Sequence, residues 1–134
     1  MNSRTLSRIW SMDKERFEML VEEVFEELPD EFKSRIENVH VVVEDLPDEY
    51  DLKGVHVRNP YSLLGLYTGI PLNKRGPDYG VRPVIPDRIK LFRQNIERDC
   101  RDEKEIQERI KEVLIHEVAH YFGMTDREIR KAGY

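Results

Sequence analysis

The chain has 134 residues, 39% of them apolar and 37% charged, enough for a single domain over residues 1–134 with its own core. One cysteine, Cys100, excludes an internal disulfide framework. A net charge of -5 argues against a general nucleic-acid binder, and no apolar run approaches the roughly 18–20 residues of a membrane span.

No apolar stretch follows the two arginines of the first ten residues, so a secretory signal is not expected and a cytoplasmic protein is the default. Charge is unevenly spread. Residues 1–51 balance at -9, residues 52–98 at +6 and residues 99–134 at -2. The basic middle keeps a local anionic partner open.

The first predicted element is a helix after Ser11, a candidate N-cap, with Asp13 and Glu15 in its first turn. Phe17, Leu20, Val21, Val24, Phe25 and Leu28 recur at helical spacing, and Pro29 with Asp30 ends the run. A short helical stretch is expected from Asp30 to Ile36. Val39 to Val43 is β-branched and predicts a strand. The acidic segment Glu44 to Asp51, interrupted by Pro47, reads as a solvated loop without calcium-loop spacing.

Ser62 to Ile70 reads as a bent or edge strand, because Gly65 and Gly69 weaken an interior one. Pro71 to Pro86 holds four prolines and two glycines and reads as a long loop. Asp87 to Phe92 alternates polar and apolar residues and predicts a third strand. Cys100, between this strand and the next helix, reads as a partly buried thiol rather than one activated by Arg98 and Arg101.

Asp102, with Glu105 three residues on, predicts a capped helix through Ile106, Ile110, Val113, Leu114, Val118 and Tyr121 to about Phe122, stopped by Gly123. Thr125 and Glu128 form a capping box for a last helix, Asp126 to Ala132. The fold class is therefore α+β.

That late helix contains His116-Glu117-Val118-Ala119-His120. Histidines four apart share one helical face, where two imidazoles reach one Zn²⁺. Glu117 then lies beside the metal and can take a proton from an activated water. The alternative is an amphipathic helix with two partly exposed histidines. Gly123 lets the chain reverse, which favours Asp126 as third ligand over Glu128 and His56. Asp126 also suits simple first-turn helix electrostatics. His40 reads as a packed or edge-strand histidine.

The segment HEVAHYFGMTD, His116 to Asp126, fits HExxHxxGxxD and resembles the small bacterial zincin-like metallopeptidases, whose fold is a minimal matrix-metalloprotease-like one. The resemblance extends through LLGLYTGIPL, Leu63 to Leu72, PDRIKLFR, Pro86 to Arg93, and the closing Gly133-Tyr134. It implies one zinc ion on His116, His120 and Asp126, with Glu117 as general base. It implies a minimal zincin-like fold: a small mixed sheet packed with a long N-terminal helix and an active-site helix, then a short C-terminal helix. Peptide or protein is the implied substrate.

Aspartate replaces the third histidine of the metzincins, and no methionine follows Asp126 to form a Met-turn. A carboxylate ligand acidifies the bound water less than imidazole does. Two further readings stay open: a zinc-binding interaction module without turnover, and hydrolysis of an anionic substrate such as RNA through Lys74, Arg75, Arg82, Arg88, Lys90 and Arg93. Tyr67, Tyr79, Tyr121 and Tyr134 are unranked candidates for stabilising an oxyanion.

Overall fold

The computed structural model describes residues 12–33, 39–55, 57, 59–69 and 87–131. The expected loop from Pro71 to Pro86 lies outside them, as do Ser11, His56 and the last three residues.

Helix α1 spans Lys14–Glu26. Its N-cap is Asp13, whose carboxylate accepts the backbone N–H of Arg16 at 2.8 Å. The cap thus falls two residues later than the expected Ser11. Phe17, Leu20, Val21 and Val24 bury the predicted stripe. A one-turn helix, α2 (Asp30–Lys33), follows.

Strand β1 (Val39–Glu44) leads to helix α3 (Glu49–Lys53). This corrects the reading of residues 44–51 as loop. Asp48 accepts the Asp51 N–H at 2.8 Å, and the Asp51 side chain accepts the Asp48 N–H at 3.0 Å. That reciprocal box satisfies two otherwise orphaned donors and nucleates a helix too short to form by propensity. Nor is the segment simply solvated. Asp51 is only 6% exposed and accepts a hydrogen bond from the Lys90 ammonium at 2.7 Å.

A 3-10 turn, Pro60–Ser62, precedes strand β2 (Gly65–Thr68). Strand β3 (Asp87–Phe92) runs straight into helix α4 (Arg93–Glu97). Helix α5 (Glu103–Tyr121) follows, capped as expected by Asp102, which accepts the Glu105 N–H at 2.9 Å. Helix α6 (Asp126–Lys131) closes the described chain, with Thr125 and Glu128 forming the expected box.

The sheet order is β1-β3-β2. β1 lies parallel to β3, Val39 opposite Asp87, and β2 lies antiparallel to it, Gly65 opposite Leu91. β2 is therefore an edge strand among the described residues, as its glycines suggested. One face of the sheet packs on α5, and α1 packs on α5 in turn. Ile89 and Leu91 from the sheet meet Ile106, Ile110 and Leu114 from α5 and Phe17 and Leu20 from α1 in one core. Each such side chain contributes roughly 1.5–3 kcal/mol by leaving water. Cross-links tie the helices further. Arg16 pairs with Glu103, and Arg93 joins Asp45, Glu97 and the Met12 carbonyl. The architecture is the α+β, minimal zincin-like arrangement anticipated.

Candidate metal centre

Positions 113, 116, 117 and 120 of an α-helix fall on one face. In α5 that face meets β2. A Cβ added to Gly65 would lie 2.6 Å from Val113 Cγ1 and 3.5 Å from Glu117 Cγ. Glycine is what lets the strand come this close. Glu117 is consequently only 8% exposed, while His116 and His120, flanking it, are half-buried.

Glu117 Oε2 lies 3.4 Å from His120 Nδ1, but without hydrogen-bond geometry. That oxygen is buried and accepts no hydrogen bond among the described residues. A buried carboxylate oxygen left so is costly, and it marks a place where a further polar group is expected.

The helix ends in a left-handed residue. Gly123 has φ +77, its N–H donates to the His120 carbonyl at 2.8 Å, and the Met124 N–H donates to the Ala119 carbonyl at 3.0 Å. This is a Schellman turn, and it satisfies carbonyls that the helix leaves open. The chain reverses there and starts α6 at Asp126, with Ile129 fully buried to pin the short helix. The Asp126 side chain lies outside the described ones, as does that of Tyr121. Among the described residues no three potential ligands gather into one cluster. The structure thus brings together His120 and Glu117 and sets His116 on the same helical face.

Zinc fits what is present: two imidazoles on one face, and beside them a buried carboxylate oxygen with no hydrogen bond.

Of the rival ligands, Glu128 is committed to its cap, accepting from the Thr125 hydroxyl at 3.1 Å. His56 lies outside the described residues, and His40 is exposed on β1. The Tyr67 hydroxyl donates to buried Asp87 at 2.8 Å. Tyr79 and Tyr134 are outside the described residues.

The basic middle offers less to an anionic substrate than its sequence suggests. Lys90 is held by Asp51 and Glu44, and Arg93 by Asp45 and Glu97. Arg88 is exposed, and Lys74, Arg75 and Arg82 lie outside the described residues. Cys100 is buried, its thiol donates to the Ile96 carbonyl at 3.3 Å, and burial pushes its pKa up despite nearby Arg109. It is not an activated nucleophile.

Two supporting residues escaped the sequence reading. Asn95, 1% exposed, donates both amide hydrogens to the segment before β2, to the Pro60 and Leu63 carbonyls at 3.0 and 2.8 Å. No local pattern announces such a tertiary clamp. Asp51 did carry a signal, since Asp48-x-x-Asp51 has the spacing of a helix cap.

The chain shares its fold with a conserved hypothetical protein from Thermo thermophilus, at a TM-score of 0.51 and 26% identity, covering 83% of this chain and 94% of that one. No curated protein matches it. No helix among the described residues is long and apolar enough to cross a membrane. The family described as zincin-like metallopeptidase matches residues 36–134, a span that holds the whole sheet and both histidines. The chain therefore belongs to the zincin-like metallopeptidase family.

Proposed function

We propose that this chain is a cytoplasmic, zinc-dependent metallopeptidase that hydrolyses peptide bonds. The observation that carries the reading is the Glu117 carboxylate: buried, without a hydrogen bond on Oε2, and set between His120 and an edge strand. His116, His120 and Asp126 would hold one zinc ion. When bound, zinc supplies Lewis acidity to water and to the scissile carbonyl.

Glu117 takes the proton of the attacking water and returns it to the leaving amine. Its burial against β2 fixes the carboxylate in place, so little reorganisation accompanies the transfer. The edge of β2, unpaired among the described residues, supplies backbone N–H and C=O groups that hold an extended peptide by strand addition.

Elemental analysis of tag-free protein tests the ligand set. About one zinc per chain is expected in the native protein, with near-complete loss in His116→Ala and in Asp126→Ala. Zinc retained in both variants overturns the assignment.

A further inference from the structure

Strand β2 has only four residues, all of them half-buried, so little apolar burial holds it to the fold. Buried polar side chains grip it at both ends instead. Before the strand, Asn95 holds the Pro60 and Leu63 carbonyls. At the other end stands Asp87, the first residue of β3 and 2% exposed. Its Oδ2 accepts the Tyr67 hydroxyl at 2.8 Å. Its Oδ1 occupies the space that a Cβ on Gly69 would need. Gly69 has φ +146, a backbone conformation open to glycine and rare for other residues. One buried carboxylate thus fixes both a side chain of β2 and the turn that ends it.

The pairing shows which part of the strand is being held. The Leu64 carbonyl accepts the Phe92 N–H at 3.0 Å, and the register then sets Leu66 opposite Lys90 and Thr68 opposite Arg88. Opposed residues in an antiparallel pair alternate between hydrogen-bonded and non-hydrogen-bonded. Leu66 and Thr68 therefore turn their N–H and C=O to β3, and Gly65 and Tyr67 turn theirs to the outer edge. Side chains alternate too, so Gly65 and Tyr67 share the face of the sheet that packs on α5. Tyr67 packs there against the core, and Gly65 lies against Val113. The residues whose backbone faces outward are those fixed from the α5 side.

The geometry points to Asp87 as a positioning residue for the peptide that pairs with β2. Through the Tyr67 hydroxyl it sets the twist of the strand, and so the direction in which Gly65 offers its N–H and C=O. It touches no substrate itself. A template ordered in advance loses little entropy on binding. Pairing with Gly65 is blind to the substrate side chain but needs a substrate N–H, so proline at that position is refused. This rests on the peptidase reading of the α5 site and its strand addition.

The test uses the full chain carrying Glu117→Gln, with zinc present, so that the probe is not consumed. The probe is a neutral peptide of about ten residues of Ser, Thr, Val and Leu, and amide exchange is followed residue by residue. Saturating peptide is expected to slow exchange of the Gly65 N–H about tenfold and to leave that of Leu66, already turned to β3, unchanged. Adding Tyr67→Phe cuts the slowing to about twofold or less and weakens binding about fivefold. Asp87→Asn, whose side-chain oxygen still accepts the Tyr67 hydroxyl, keeps both near the level before the change. A purely structural pair would lower the melting temperature and leave the Gly65 protection at saturation as it was, which overturns the proposal. So does a Gly65 N–H that the peptide never protects, or the same loss in Asp87→Asn. Hydrolysis by the native chain is scored separately. Absence of cleavage with Tyr67-dependent protection intact upholds Asp87 in peptide binding and overturns only the peptidase reading. Cleavage without protection of Gly65 does the reverse.

Discussion

Gly65 on β2 lies against Val113 on α5, and the strand's lack of a side chain there is what admits Val113 Cγ1, one helical turn from Glu117. A methyl group at Gly65 would press on Val113 Cγ1 at 2.6 Å and on the Lys90 carbonyl at 3.2 Å. Gly65→Ala therefore pushes strand and helix apart. A loss of roughly 1–3 kcal/mol is expected in denaturant unfolding, together with reduced peptide hydrolysis as Glu117 shifts. Unchanged stability would show that the boundary can relax without cost.

Glu117→Gln separates chemistry from folding. The amide cannot accept the water proton, so hydrolysis is expected to fall about 10²–10⁴-fold while zinc content stays at the native level. Because Glu117 Oε2 is buried without a hydrogen bond, removing its charge leaves the zinc-free chain equally stable or more so. Thermal melts of both apo proteins check the second half. Full activity in the variant removes Glu117 from the mechanism.

Lys90 and Asp51 set the response to alkali. The hydrogen bond from Lys90 to Asp51 holds the ammonium above the usual lysine range. A raised folded-state pKa gives stability that is complete below the unfolded value, about 10.4, and is lost as pH climbs through the folded one. In Lys90→Met that alkaline loss disappears, but Asp51 is left buried without its cation, at a cost of about 3–5 kcal/mol near neutrality. In acid the sign reverses. Glu103 beside Arg16, and Glu105 beside the Arg101 N–H and guanidinium, are held below the usual carboxylate range. Their contribution is present above about pH 4.3 and fades as pH falls through the lowered values. Urea midpoints across both limbs, native against variant, test the assignment.

Asn95→Ala removes two hydrogen bonds that reach across thirty-odd residues of sequence. It takes the side-chain donor from the Leu63 carbonyl and leaves the Pro60 carbonyl only the Leu63 N–H at 3.4 Å, which costs roughly 1–3 kcal/mol. Amide exchange in Gly65–Thr68 is expected to speed up more than exchange in β1, since the clamp acts on the entry to β2. Uniform acceleration across the sheet would mean global destabilisation instead.

What the sequence made legible follows from how far each determinant reaches. α1 and α5 were readable because caps and apolar periodicity are local, and β3 because its alternation spans the whole strand. The zincin-like resemblance starts from one contiguous segment, His116 to Asp126, and extends through Leu63 to Leu72, Pro86 to Arg93 and Gly133-Tyr134. α3 and α4 were missed for a different reason. Each is five residues long, too short for a periodic signal, and α4 also lacks a side-chain cap hydrogen bond. The shift of the α1 cap from Ser11 to Asp13 is the ordinary ambiguity between two good capping residues two positions apart. The close approach of Gly65 to Val113, the Asn95 clamp and the Asp51–Lys90 pair join residues distant in sequence, and nothing local encodes them.

The parallel pairing of β1 with β3 has a consequence for how the protein is made. Val39 and Asp87 stand opposite each other yet are separated by most of the sheet's sequence, including β2. Closing so long a loop is entropically expensive and comes late, after the helices have formed. On the ribosome, β1 emerges well before the strand that will shelter it, exposing a β-branched run to other nascent chains. Aggregation during synthesis, rather than instability of the finished molecule, is where this topology is most vulnerable.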